Sequence, residues 1–222
     1  MLNRLREALD LPSDDFQRAF SRRWEYERAD TSAAWDSEPN FDALSAALAQ
    51  YEEVPEAFAN LLDLAKAGSV VAMTAVGEAY YWGSGTPADS TEAENWLRKA
   101  FELGSRRGLL SYGRFLYLRD DLAAAEQIFR KGAAAGWPEA QYRLAEIMMQ
   151  RAPKSPPAEV GALIEAAAQA GHPFARQWQG RAMVRGRYGV TKLPKAFRLL
   201  WAVRREVRRA WELQASKPAS SS

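Results

Sequence analysis

Apolar residues return along this chain at steps of three, four and seven, the spacing that puts side chains on one face of an α-helix. Leu2, Leu5 and Leu9 share such a face. Behind Ser13, Asp14 and Asp15, which suit a helix start, Phe16, Phe20 and Trp24 follow at four-residue steps. "NFDALSAALAQYEE" keeps the same spacing, and Pro55 fits the first turn of the next helix. Further on, Ala93, Trp96 and Ala100 form one stripe and Ala125, Ile128 and Gly132 another. Neither a strand alternation nor a long unpatterned tract interrupts them, so the pattern predicts an all-helical chain.

The helices are punctuated regularly. Gly68, Gly104, Gly136 and Gly171 close the phrases "LLDLAKAG", "WLRKAFELG", "IFRKGAAAG" and "LIEAAAQAG", at intervals of 36, 32 and 35 residues. Glycine at the end of a helical phrase supplies the left-handed conformation that other residues resist, and periods of 20–50 residues mark stacked helical hairpins. Counting from each glycine aligns small residues four positions on (Ala72, Gly108, Ala140, Ala175) and nine on (Gly77, Gly113, Ala145, Gly180). Large ones stand twelve on (Tyr80, Leu116, Met148, Met183). The small positions admit a neighbouring helix closely, and the large one fills the space beyond.

These residues resemble the Sel-one-like repeats, a bacterial and eukaryotic branch of the tetratricopeptide superfamily. The unit from Gly68 to Gly104 matches the family pattern at Ala72, Gly77, Tyr80, Gly83, Gly85, Asp89, Ala93, Trp96, Ala100 and Gly104. "GRYGVTKLPKAFRLLW" is similar to the same loop and helix start. The middle units depart from it: "YLRDDLAAA" loses about four loop residues, and "QRAPKSPPAE" replaces the glycines with prolines. The resemblance implies a right-handed α-α superhelix of antiparallel hairpins over residues 55–211. Residues 1–54 then form a helical cap and 212–222 a disordered tail. It also implies a non-catalytic scaffold or adaptor that binds another protein.

"GSGTPADS" then reads as the connector inside one hairpin, with Asp89 or Ser90 capping the second helix and Glu92 near its positive end. A phosphate loop needs a preceding strand and a Lys-Ser/Thr pair at the helix start, and neither is present. Other chemistry is equally scarce. The chain has no cysteine and one histidine, His172 in "GHPFA", which reads as a surface turn residue. With a lone histidine, no thiolate and no "GxSxG" elbow, there is no pattern for a zinc centre or a serine triad. The pairs Asp14-Asp15, Glu52-Glu53 and Asp120-Asp121 fall at helix edges, where acids complement the dipole. Neither a cofactor nor a metal is expected. Trp96, Tyr80, Tyr112 and Tyr142 are expected in the packing between repeats.

Charge adds a direction. Of the 222 residues, 1–60 carry 6 basic and 13 acidic side chains, 61–136 carry 9 of each, and 137–222 carry 15 basic against 6 acidic. The start lacks an apolar signal segment, and no run approaches the ~18 apolar residues that span a bilayer, so a cytoplasmic location is expected. A near-neutral total and no recognisable motif argue against nucleic acid. Opposite charge at the two ends permits head-to-tail association, and the oligomeric state stays open.

Two candidate binding surfaces follow. On the first helix of each hairpin, positions three, seven, ten and fourteen after the closing glycine are expected to face away from the core, toward an inner wall. They are Val71, Ala75, Glu78 and Trp82; Arg107, Ser111, Arg114 and Leu118; Glu139, Arg143, Glu146 and Gln150; Phe174, Trp178, Arg181 and Arg185. Arginine and tryptophan favour an acidic peptide or helix from a partner protein. The second surface is the last helix, with Ala196, Leu199, Leu200, Val203, Val207 and Ala210 on one side. Arg198, Arg205, Arg208 and Arg209 lie on the other. Such a helix suits an anionic membrane or an acidic partner, unless its apolar stripe is simply the core of the last hairpin.

Overall fold

The computed structural model describes residues 38, 40–51, 54–184 and 193–215. They hold ten helices: α1 Phe41–Gln50, α2 Pro55–Lys66, α3 Val70–Trp82, α4 Ser90–Glu102, α5 Arg106–Leu118, α6 Leu122–Ala134, α7 Pro138–Arg151, α8 Glu159–Gln169, α9 Pro173–Val184 and α10 Leu193–Ala215. No strand occurs among the described residues. Two compact units divide the chain, one ending at Ala135 and one beginning at Gly136. In the first, each helix from α1 to α6 packs on the next, and α3 also packs on α5. In the second, α7 packs on α8, α8 on α9 and α9 on α10.

The ends of the helices follow from local sequence. Gly68, Gly104, Gly136 and Gly171 all have positive φ, between 79° and 106°, as closing residues require. The residue after each of them stands immediately before the first turn of the next helix. Ser69 Oγ accepts the backbone N–H of Ala72 at 3.1 Å, and Ser105 Oγ accepts that of Gly108 at 3.0 Å. The Ser69 hydroxyl in turn donates to Glu38 Oε2 at 2.7 Å, placing a carboxylate at the positive end of α3. Asp89 caps α4 by accepting from Thr91 and Glu92. "GSGTPADS" is therefore a connector, with Gly83 ending α3 in the left-handed region. Where the next unit's loop is shorter, Asp120 takes that role at φ 63° and Asp121 caps α6.

His172 departs from expectation. It occupies the position of Ser69 and Ser105, but it is buried, with 1% of its surface exposed. Its Nδ1 accepts the backbone N–H of Ala175 at 3.3 Å, so a neutral imidazole caps α9. The ring stacks on Tyr142 of α7, centroids 4.5 Å apart. Burial holds the imidazole well below its usual range, and the guanidinium of Arg143 pushes the same way. A surface turn residue was the wrong expectation because the helix packing closes over the turn.

Small residues set how closely the two helices of a hairpin approach. A Cβ on Gly77 would lie 2.7 Å from Leu97 Cγ, one on Gly113 2.8 Å from Phe129 Cζ, and one on Gly180 2.8 Å from Leu200 Cγ. Gly108 receives the preceding helix as closely, a Cβ there lying 2.7 Å from the backbone carbonyl carbon of Ala100. The second-helix stripes are correspondingly buried: Ala93, Leu97 and Ala100 in α4, Val160, Ile164 and Ala167 in α8, and Ala196, Leu200 and Val203 in α10.

Candidate functional site

The face expected to look away from the core is largely closed. Val71, Ala75, Glu78, Ser111, Glu139 and Phe174 are all buried. In the unit ending at Ala135 the reason is direct: α3 and α5 lie side by side, and the face lies in the seam between them. Ser111 Oγ donates to Glu78 Oε1 at 2.7 Å, and a guanidinium nitrogen of Arg107 stands 3.7 Å from Glu78 Oε2. Glu78 and Arg107 thus join two successive first helices. Glu78, 6% exposed, is not a group an incoming partner meets first.

The seam opens toward the C-terminal ends of the same two helices. Trp82, the last residue of α3, is 45% exposed. The guanidinium of Arg114 sits 5.7 Å from its ring centroid, in reach of a cation–π contact. Tyr81 packs edge-on against Trp82 at 4.6 Å and against Phe115 at 5.4 Å, which fixes the ring pair on a buried base. Together these residues rim a recess of about 260 Å³, counting the space open to solvent. Leu97, Leu118, Ser111 and Glu78 line the rest of it. A broader depression between α1 and α2 is lined by five alanines together with Val54, Leu64, Gln50, Asn60, Glu56 and Asp63, and brings no ring or cation together.

In the unit beginning at Gly136 the expected residues are arranged differently. Arg143 pairs with Glu146 one turn on, at 2.7 Å, and its guanidinium lies 5.9 Å from the Tyr142 centroid. Trp178 and Arg181 are half-buried, and Arg185 lies outside the described residues. On α10, Arg198, Arg205, Arg208 and Arg209 are exposed as expected. Ala196, Leu200 and Val203 are buried and Leu200 fills the notch at Gly180, so this part of the apolar stripe is hairpin core, while the side chains of Val207 and Ala210 lie outside the described ones. Sequence spacing missed Phe197 and Trp201, exposed at 41% and 65%. The signal available was their position, one step off the buried stripe.

Among the described residues no three or more His, Asp or Glu side chains gather as a metal site, and no helix is long and apolar enough to cross a membrane. The recess offers an apolar ring, a cation and a buried carboxylate, a set suited to recognition.

A family model, the Sel1 repeat, matches residues 70–105 and 138–156. Those two segments are similar to Sel1 repeats. The crystal structure of a Sel1 repeat protein from Oxalobacter formigenes is similar at 22% identity and a TM-score of 0.66, over 76% of this chain and 74% of that one. The crystal structure of c5321, a protective antigen present in uropathogenic Escherichia coli strains and displaying an SLR fold, is similar at 20% identity. Its TM-score is 0.59, over 82% of this chain and 40% of that one. No curated protein matches the sequence. The chain thus shares the all-α helical-repeat solenoid fold with both structures, and the first matched segment, 70–105, contains Glu78, Trp82 and the connector described above.

Proposed function

We propose that this Sel1-like chain is a non-catalytic cytoplasmic scaffold that holds another protein at the recess rimmed by Trp82 and Arg114. Repeats of this class generally serve as protein-interaction modules, which supports the reading. One observation carries it: a half-exposed tryptophan, fixed from below by Tyr81 and topped by a guanidinium, at an opening between two successive first helices. Tryptophan and arginine contribute most per residue to protein interfaces, because each couples large area to directional polarity. The partner chemistry that fits is an acidic segment carrying one apolar side chain. Its carboxylate would meet Arg114 while the apolar group covers Trp82 and Leu118.

Photo-crosslinking tests this. A benzoyl-phenylalanine at position 82 should crosslink to another protein in cells, in a yield that Arg114→Glu abolishes. The same group at Leu103, exposed at the end of α4, should give none. Equal yields at both positions, or yields unaffected by Arg114→Glu, would remove the recess from the account.

A further inference from the structure

The buried stripe of α10 fixes its register against the other second helices. Leu200 fills the notch at Gly180 as Leu97 fills that at Gly77 and Phe129 that at Gly113. Three residues before and one residue after this plug, α4 carries Glu94 and Arg98, and α6 carries Glu126 and Arg130. Those charges are engaged at the surface: Arg119 meets Glu94 at 3.0 Å, and Arg130 meets Glu126 at 2.9 Å. In α8 the same places hold Gly161 and Glu165, both exposed. In α10 they hold Phe197 and Trp201, and both rings are open to solvent. Only the last of the four second helices puts large apolar groups there.

The same helix differs in length and charge. In the shared register α4 ends at the place of Arg205, whereas α10 continues through Ala215, about 15 Å further. Between Leu193 and Ala215 the cations are Lys195, Arg198, Arg204, Arg205, Arg208 and Arg209, all exposed, against two acids, Glu206 and Glu212. At 100° per residue, Phe197, Trp201, Arg204 and Arg208 fall along one outer stripe beside Arg205. The guanidinium of Arg205 lies 5.6 Å from the Trp201 centroid.

We infer that this outer stripe of α10 docks on the surface of an anionic phospholipid bilayer. Aromatic rings take up the headgroup level of a membrane, and clustered arginines are drawn to its negative surface. Insertion is confined to the edge formed by Phe197 and Trp201, because Ala196, Leu200 and Val203 are held in the hairpin core. The helix is about 34 Å long. One of its faces presents roughly 350 Å², well under the ~800 Å² per partner of a stable specific protein interface. A bilayer needs no such minimum area, since each cation and each ring adds its own attraction. The inference is independent of the Trp82 recess.

Vesicle flotation of the full chain tests it. Vesicles with 30% phosphatidylserine should carry the chain upward, and pure phosphatidylcholine vesicles should not. Phe197→Ser/Trp201→Ser, which keeps every charge, should weaken binding at least tenfold. Arg205→Gln/Arg208→Gln should do the same and flatten the salt dependence. Circular dichroism melts unchanged from the parent would show that these exposed positions act on binding and not on folding. Brominated lipid should quench tryptophan emission in the parent and less in Trp201→Phe. Failure to float, equal flotation on both lipids, or flotation undiminished in the aromatic double variant would overturn the inference. So would binding of a poly-glutamate peptide to the stripe by a chain that does not float, which would assign the stripe to an acidic protein.

Discussion

The hairpin α3–α4 and the hairpin α9–α10 are built on one frame, and they part company where the frame leaves a position undetermined. Both close a preceding phrase on a left-handed glycine, Gly68 and Gly171, and both seat a leucine in a glycine notch, Leu97 at Gly77 and Leu200 at Gly180. Their caps differ, a hydroxyl of Ser69 against a buried ring nitrogen of His172. Their outer edges differ too, Glu94 and Arg98 against Phe197 and Trp201. Positions that touch the partner helix are thus held to a narrow choice of size. Positions beyond it are free to take on other work.

The strongest way to break the shared frame is at the notches, and the notches are not equal. Gly108→Ala places a methyl against the backbone of Ala100 and Phe101, which cannot swing aside, and should cost about 3 kcal/mol. Gly77→Ala and Gly180→Ala meet first the side chains of Leu97 and Leu200, with the Leu97 backbone nitrogen 3.1 Å from a Cβ on Gly77. They should cost about 1 kcal/mol, since the leucines can shift and alanine's higher helix propensity offsets part of the strain. Urea unfolding midpoints of the three variants give the order, and a Gly108→Ala protein as stable as the other two would contradict it.

The caps separate the two hairpins by pH. The folded chain holds His172 neutral, with its affinity for a proton lowered relative to the unfolded chain. Its contribution is therefore complete above the unfolded value of about 6.5 and is lost as pH falls below it. That loss grows as the pH is lowered further toward the depressed range of the folded imidazole. His172→Ser should retain a cap of the kind seen at Ser69 and Ser105 and remove this part of the acid sensitivity, whereas Ser69→Ala should cost about 1 kcal/mol at every pH. Thermal melts from pH 7.5 to 5 measure both, and parallel pH profiles for the parent and His172→Ser would refute the assignment.

The smallest effect belongs to the edges. Giving α10 the charges of α4 by Phe197→Glu and Trp201→Arg should change stability by no more than about 0.5 kcal/mol, because both rings already face water. A loss of 2 kcal/mol or more in the same melts would mean that the rings support the hairpin.

What could be read in advance follows the reach of each determinant. Gly68, Gly104, Gly136 and Gly171 act on their own backbone dihedrals, and Asp89 on N–H groups two and three residues away. Such short-range effects are written in order along the chain. The small residues at Gly77, Gly113 and Gly180 were legible for a related reason, since they recur at one spacing. Glu78 and Arg107 were expected on faces turned away from the core, but those faces close where α3 meets α5, and helical spacing carries no information on which neighbour arrives. His172 was misread for the same cause, through the stacking of Tyr142.

By itself, then, the sequence determined an all-helical repeat, its closing turns and the residues allowed at the contacts, because turn conformation and side-chain size act locally and periodically. Only the tertiary structure decided which polar groups are enclosed. It joined Glu78 to Ser111, enclosed His172, and left Trp82, Phe197 and Trp201 in water. Exposure depends on what packs on a face from a distant part of the chain, and a helix with a well-spaced stripe looks the same from within whether or not its other side is covered.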